Sequence, residues 1–239
     1  MRPWLQTAVL FALVGCAEPP KSDFQVAYRD GITSEGTNGE RGNLQISEVL
    51  WSGSVTETDD GRVYDPDDIF IELRNTGARP IDLRGWFLRV RGVENRTYRL
   101  PDEEFILLVG KEMFIAAKTD GCFPEPDIHL PELGLPRNDP FDITLQDIDE
   151  RLINGAGSRT MPPFAGGYDL VVSRSMEMAN IMFGARGNYP HVWHHYTDKA
   201  VDTPNNTKMK PECRRFTGAS PGLPNSPDYS GSFAAGGLD

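Results

Sequence analysis

An all-β fold is the architecture this chain predicts, and three observations carry the expectation. Between residues 44 and 226, short runs rich in Val, Ile, Leu, Phe and Trp recur between clusters of Gly, Pro, Asn and Asp, the pattern of strands bounded by turns. In one run Trp86, Leu88 and Val90 fall on one face of an extended chain and Phe87, Arg89 and Arg91 on the other, because successive side chains of a strand point to opposite sides. No internal repeat is apparent, which argues against a solenoid or propeller. A span of about 180 residues suits one domain with its own core.

The strands expected are 44–51, 69–74, 86–91, 105–109, 113–117, 141–146 and 168–172. Segment 173–183 reads as a strand or as a short helix with a serine N-cap and Gly184 just past its end, since Met and Ile suit both. On either side the composition changes. Residues 17–43 hold few apolar side chains among Glu, Ser, Thr, Gly and Pro, too few to offset the entropy of ordering them. They are expected to form a flexible tether with a reach of about 30 Å. Residues 227–239 have the same small, polar character and are expected to be a loose tail.

The N-terminus has a different logic. Arg2 precedes an apolar run from Leu5 to Val14 that is too short to cross a bilayer core, so residues 1–15 read as a signal peptide. The run ends in Leu13-Val14-Gly15-Cys16, which resembles the lipobox of bacterial lipoproteins, where small residues admit the peptidase and the cysteine thiol accepts a diacylglyceryl group. The resemblance implies that Cys16 is the lipidated first residue of the mature chain, and that 16–43 tethers a folded part to the cell envelope, at the outer membrane where the cell has one. Cleavage there leaves 23 basic and 35 acidic residues, a net formal charge of −12. Such a chain is repelled by polyanions, so nucleic acid is not an expected partner. Cys122 and Cys213 are then the cysteines left over, and in an oxidising compartment they are expected to pair; two separate buried thiols are the alternative.

Within the folded part, the segments Ile46-Ser47-Glu48-Val49-Leu50-Trp51-Ser52-Gly53-Ser54, Phe70-Ile71-Glu72-Leu73-Arg74-Asn75-Thr76-Gly77 and Ile81-Asp82-Leu83-Arg84-Gly85-Trp86-Phe87-Leu88 resemble the opening strands of lamin-tail domains in both order and spacing. Asn75-Thr76-Gly77 is turn chemistry, Pro80 ends the turn, and Gly85 lets the chain bend before Trp86 enters the core. Ile143 to Asp149 resembles the family's later hairpin. Ser175-Met176-Glu177-Met178 resembles its Ser-x-Glu-Arg motif with Met178 in the arginine's place, and Trp193 with Ala219-Ser220-Pro221-Gly222-Leu223-Pro224-Asn225 resembles its aromatic and Thr-Pro-Gly-x-x-Asn ending. Segments 118–140 and 156–167 look like insertions. The resemblance implies an immunoglobulin-like β-sandwich over 44–226 and, for exported bacterial members, a non-catalytic module for binding or attachment.

Four constellations bear on chemistry. Gly218-Ala219-Ser220-Pro221-Gly222 matches the hydrolase pattern Gly-x-Ser-x-Gly, but Pro221 has no N–H to offer an oxyanion, so the match fails. In His191-Val192-Trp193-His194-His195, an extended chain places His191 and His195 about 13 Å apart on one face, too far to share a metal. Glu57, Asp59, Asp60, Asp65, Asp67 and Asp68 crowd the link between the first two strands; they read as a solvated acidic loop, with calcium as the alternative. Segment 74–99 holds seven arginines against Asp82 and Glu94. Guanidinium forks suit phosphate and carboxylate, so Arg84, Arg89, Arg91 and Arg96 are the expected partner-binding residues; the alternative is that they pair with the acidic loop 57–68.

The function expected is therefore a membrane-anchored binding or attachment module with no catalytic residues, no cofactor and no metal. Its partners would be the membrane, through the N-terminal lipid, and an anionic envelope component or protein. The alternatives are a calcium-assisted envelope hydrolase and a structural spacer.

Overall fold

The computed structural model describes residues 39–137, 139–181, 184–197 and 207–228. Cys16, the signal segment, most of the tether and most of the tail lie outside the described residues. In chain order the strands are β1 (Leu44–Leu50), β2 (Ser54–Thr58), β3 (Gly61–Asp65), β4 (Phe70–Asn75), β5 (Ile81–Asp82), β6 (Phe87–Arg91), β7 (Asn95–Arg99), β8 (Ile106–Leu107) and β9 (Glu112–Ala116). They continue with β10 (Ile128–His129), β11 (Phe141–Gln146), β12 (Leu152–Ser158), β13 (Gly167–Tyr168), β14 (Ser173–Arg174), β15 (Met176–Met178), β16 (Trp193–His195) and β17 (Thr217–Gly218). Helical structure among the described residues is limited to short 3-10 turns such as Pro190–Val192 and Pro211–Cys213.

The protein is an all-β sandwich. A six-stranded sheet in the order β10-β9-β4-β1-β15-β16 packs against a four-stranded sheet in the order β12-β11-β6-β7. The core between them takes Ile46, Ile71, Leu73, Ile115, Met176 and Trp193 from the first sheet and Leu88, Val90, Ile143, Leu145 and Ile153 from the second. Trp86 enters this core as expected, after Gly85, whose φ of +67° few other residues adopt. The alternation in β6 holds, with Leu88 and Val90 buried and Arg89 and Arg91 turned outward.

A second apolar cluster lies on the other face of the six-stranded sheet: Leu50, Phe70, Phe114, Ala116, Phe123, Met209 and Ala219 surround Cys122 and Cys213. Here the two cysteines are joined in a disulfide, their Cα atoms 5.7 Å apart. It ties the segment after β9 to residues 207–228, which fold back as a strap over this face.

Several elements depart from expectation for identifiable reasons. The acidic link is not a loop but the hairpin β2–β3, with Ser54 opposite Asp65 and Thr58 opposite Gly61; Asp59-Asp60-Gly61 is turn chemistry. Residues 173–178 are extended, in β14 and β15, because β15 is needed to pair with β1 and β16. The strand β12 carries Gly155 and Gly157, which disguised it. Packing also begins at Gly39, earlier than the tether boundary expected at 43: Gly42 donates its N–H to Ile153 O at 3.0 Å, and Thr76 N–H donates to Asn43 O at 2.8 Å. A Cβ at Gly39 would collide with the Trp86 ring, so the glycine that looks like linker is a packing residue.

Candidate functional site

The structure divides the predicted arginines between two faces and supplies each with a carboxylate. Arg89 and Arg91 lie on the outer face of the four-stranded sheet; Arg89 pairs with Glu150 at 2.6 Å and Arg91 with Asp142 through two contacts of 3.1 and 2.5 Å. Arg96 sits opposite Val90 in the register of β6 and β7, hence on the other side of the sheet, where its guanidinium meets Glu94 at 2.6 Å. Arg84, in the turn before β6, pairs with Asp82. None of these partners belongs to the 57–68 segment. The acids of that segment meet other cations: Glu57 with Arg215, Asp65 with Lys118 and Asp67 with Arg137. Asp68 is buried, accepting from Ser54 Oγ at 2.5 Å and from Cys122 N–H at 2.7 Å, and burial raises its pKa. Among the described residues no group of three or more His, Cys, Asp or Glu side chains is placed to hold a metal ion.

The histidines separate as well. His191 stacks on Tyr189, and His195 Nδ1 accepts from Gly166 N–H at 3.0 Å. His194 is buried, and its Nδ1 lies 2.8 Å from the carbonyl of His195. A carbonyl only accepts, so Nδ1 carries the hydrogen and Nε2 has no partner.

The most unusual chemistry was not anticipated. Across the outer face of the six-stranded sheet, Glu72, Glu48, Glu177 and His194 stand in one row, because β4, β1, β15 and β16 are neighbours and Glu48 is opposite both Glu72 and Glu177. A register shift in β1 between Ile46 and Glu48 brings Ser47 Oγ to Glu72 Oε1 at 2.7 Å. All three carboxyl groups are fully buried beneath the strap. Ser220 N–H and Gly222 N–H donate to Glu48 and Glu72 at 2.9 and 2.7 Å, Ser226 N–H and Oγ reach Glu177, and Asn225 Nδ2 donates to Ser47 O and Met178 O.

Burial and mutual repulsion push Glu48 up to about 8. Glu72 is raised well above the usual carboxylate range for the same reasons, and burial raises Glu177. The geometry demands a proton independently. Ser220 Oγ lies 3.0 Å from Glu48 Oε2 and 2.6 Å from Glu177 Oε1, yet a hydroxyl has one hydrogen, so one of these contacts is a carboxyl O–H donating to the serine. Met178, standing where an arginine was expected from the resemblance, points into the core and offers no counter-charge. The row is a buried clamp for the strap that holds a proton between Glu48 and Glu177.

Two of the open cavities among the described residues bear on binding. One of about 310 Å³ is lined by Ile69, Val90, Val93 and Leu133 with Arg96 and Arg137 at its rim. The other, of about 430 Å³, follows β12 and residues 184–188 and is lined by Arg41, Arg91 and Arg186 over Gly155, Gly157 and Gly184.

Comparison with protein-family models finds no match, and comparison with curated proteins finds none either. The functional reading therefore rests on the residues themselves.

Proposed function

We propose that this protein is a lipid-anchored, non-catalytic binding module of the bacterial cell envelope, held at the membrane through Cys16 and built on a lamin-tail-like, immunoglobulin-like sandwich. The observation that carries the non-catalytic part is the sealed row Glu72, Glu48 and Glu177. Acid–base chemistry needs a titratable group within reach of a substrate; these three are fully buried and hydrogen-bonded to the strap. The surface that remains is one of ion pairs and shallow cavities, suited to binding. The disulfide fits an exported protein, since such bonds persist in oxidising compartments.

Export and anchoring are tested together. Replacing Cys16 with serine should abolish incorporation of labelled fatty acid and release the protein from the membrane fraction, a multiply acylated cysteine being needed for stable attachment. Incorporation equal to that of the parent would sink the lipoprotein reading. Binding is tested by crosslinking in intact cells followed by identification of the captured component; a protein that captures the same components as an unrelated lipoprotein is a spacer rather than a binder.

A further inference from the structure

We propose that the groove between β12 and residues 184–188, lined by Arg41, Arg91 and Arg186, binds a phosphate group. The inference rests on the binding-module reading and moves the partner-facing surface to the residues around Arg91.

The groove gathers positive charge in an acidic chain. The protein has a formal net charge of −11, and the arginines at 74, 84, 89, 96, 99, 137 and 151 each have a carboxylate partner. Arg41 and Arg186 are exposed and form no ion pair among the described residues, although both line one cavity of about 430 Å³. The only acid lining it is Asp142, and Arg91 already holds that carboxylate with Nε and one Nη. A guanidinium has five N–H donors, so Arg91 keeps donors for a ligand. Two uncompensated positive charges beside a third, neutralised guanidinium match a phosphate better than a carboxylate. A carboxylate presents two oxygens in one plane, whereas a tetrahedral phosphate presents its oxygens in several directions, to several arginines at once.

The floor supports the same class of ligand. Gly155, Gly157 and Gly184 place no side chain in the cavity, so a ligand approaches the backbone closely there, with the guanidinium groups and the Thr144, Asn154 and Asn188 side chains also lining the cavity. At Gly157, which has a φ of +82°, a Cβ would collide with the carbonyl of Phe141. The sheet itself requires glycine there, and the open floor is the consequence.

The position of the groove suggests where the phosphate comes from. Arg41 lies just after Gly39, the first described residue, so the chain that leads from Cys16 joins the folded part at the rim of the groove. A flexible tether joined at that side lets the groove reach the anchoring membrane, whose headgroups carry phosphate. A soluble phosphate ester has the same chemistry, and the test separates the two sources.

The experiment uses the purified full-length protein and mass-spectrometric measurement of arginine modification by phenylglyoxal, with exposed Arg159 as the internal reference. In neutral detergent the protein is titrated with inorganic phosphate and with glycerol 3-phosphate; in a second arm it is placed in bilayers of uncharged lipid with or without phosphatidylglycerol. Arg41 and Arg186 should be protected saturably while Arg159 is not. In the double variant Arg41→Gln, Arg186→Gln, where binding is read from protection of Arg91, affinity should fall about a hundredfold, since each lost charged hydrogen bond carries roughly a decade, with an unchanged melting temperature. Added salt should weaken protection by screening the exposed charges. Protection by phosphatidylglycerol bilayers but not by the soluble ions identifies a headgroup; the reverse identifies a soluble ester. Absence of protection in both arms, or parental affinity in the double variant, overturns the proposal. A groove that binds phosphate in a protein that Cys16→Ser does not release would leave this inference standing and remove the anchor.

Discussion

Replacing Glu48 with glutamine should make the protein progressively more stable than the parent as pH rises toward 8 while leaving it nearly unchanged at pH 4.5 and below. Glu48 is pushed up to about 8 from an ordinary value of 4.5. Between those values the folded protein holds a proton that the unfolded chain has released, so stability is full below 4.5 and is lost as pH rises through the folded value. The slope is about 1.4 kcal/mol per pH unit for one such group. Glutamine copies the protonated carboxyl in volume, keeps an oxygen to accept from Ser220 N–H, and cannot ionise. His195, lowered chiefly by burial, contributes a dependence of opposite sign as pH falls into the range where the unfolded chain protonates, but it is shared by variant and parent. So are the contributions of Asp68, Glu72 and Glu177, apart from the relief that removing Glu48 gives its neighbours.

The quantity to measure is therefore the difference between variant and parent. Urea denaturation of the oxidised protein at intervals from pH 6.5 to 8 should show it moving toward the variant by about 2 kcal/mol. For a domain of this size that corresponds to roughly 4–8 °C in melting temperature. Parallel stability curves, or a parent that gains on the variant as pH rises, would show that Glu48 is ionised in the folded state and that the reading of the clamp is wrong.

Other parts of the strap and sheet give simpler tests. Replacing both Cys122 and Cys213 with serine should cost about 2–4 kcal/mol by thermal or chemical denaturation, below the chain-entropy ceiling of about 4–5 kcal/mol for a loop of this length. Asn225→Ala removes the donor to Ser47 O and Met178 O and should cost about 1–3 kcal/mol, because buried carbonyls are left without partners; a neutral result would mean that water replaces the amide. Leu170 is 79% exposed and has a φ of +74°. Leu170→Gly should stabilise by about 0.5–1 kcal/mol, the left-handed cost of about 1–2 kcal/mol less the added entropy of glycine; a loss of stability would show that its side chain makes a contact worth more than the strain.

What could be read in the sequence was what period and turn chemistry control. The strands at 44–51, 69–74, 86–91, 113–117 and 141–146 were legible because β-type residues dominate them, and the partnership of Cys122 and Cys213 because no other cysteine remained. The hairpin β2–β3 was hidden by its own acids, which drew attention as charges although Asp59-Asp60-Gly61 is a turn. The clamp was hidden for a different reason. Glu48, Glu72 and Glu177 each look like the polar member of an alternating strand, and only the order β4-β1-β15 puts them side by side. The signal that could have exposed them is the ending 219–226: a Ser-Pro-Gly segment followed by Asn225 and Ser226 offers backbone N–H groups and hydroxyls with no strand of its own to bind. Charge patterning singled out the arginines but not their partners, since a count along the chain does not reveal that Glu150 and Asp142 return to face Arg89 and Arg91.

The two sheets differ in what covers their outer faces, and this decides where a partner can sit. The six-stranded sheet is closed by the strap, pinned at one end by the disulfide and along its length by hydrogen bonds to buried glutamates, so a ligand there would have to displace hydrogen bonds to Glu48, Glu72 and Glu177 together. The outer face of the four-stranded sheet carries Arg89, Arg91, Asp142 and Thr144, whose ion pairs are partly exposed and cost little to rearrange. An approaching anion competes there with Glu150 or Asp142 for a guanidinium, but at Arg41 and Arg186 it breaks no ion pair among the described residues. The balance of desolvation favours the β12 end of that sheet, which is also where the chain from the proposed anchor arrives.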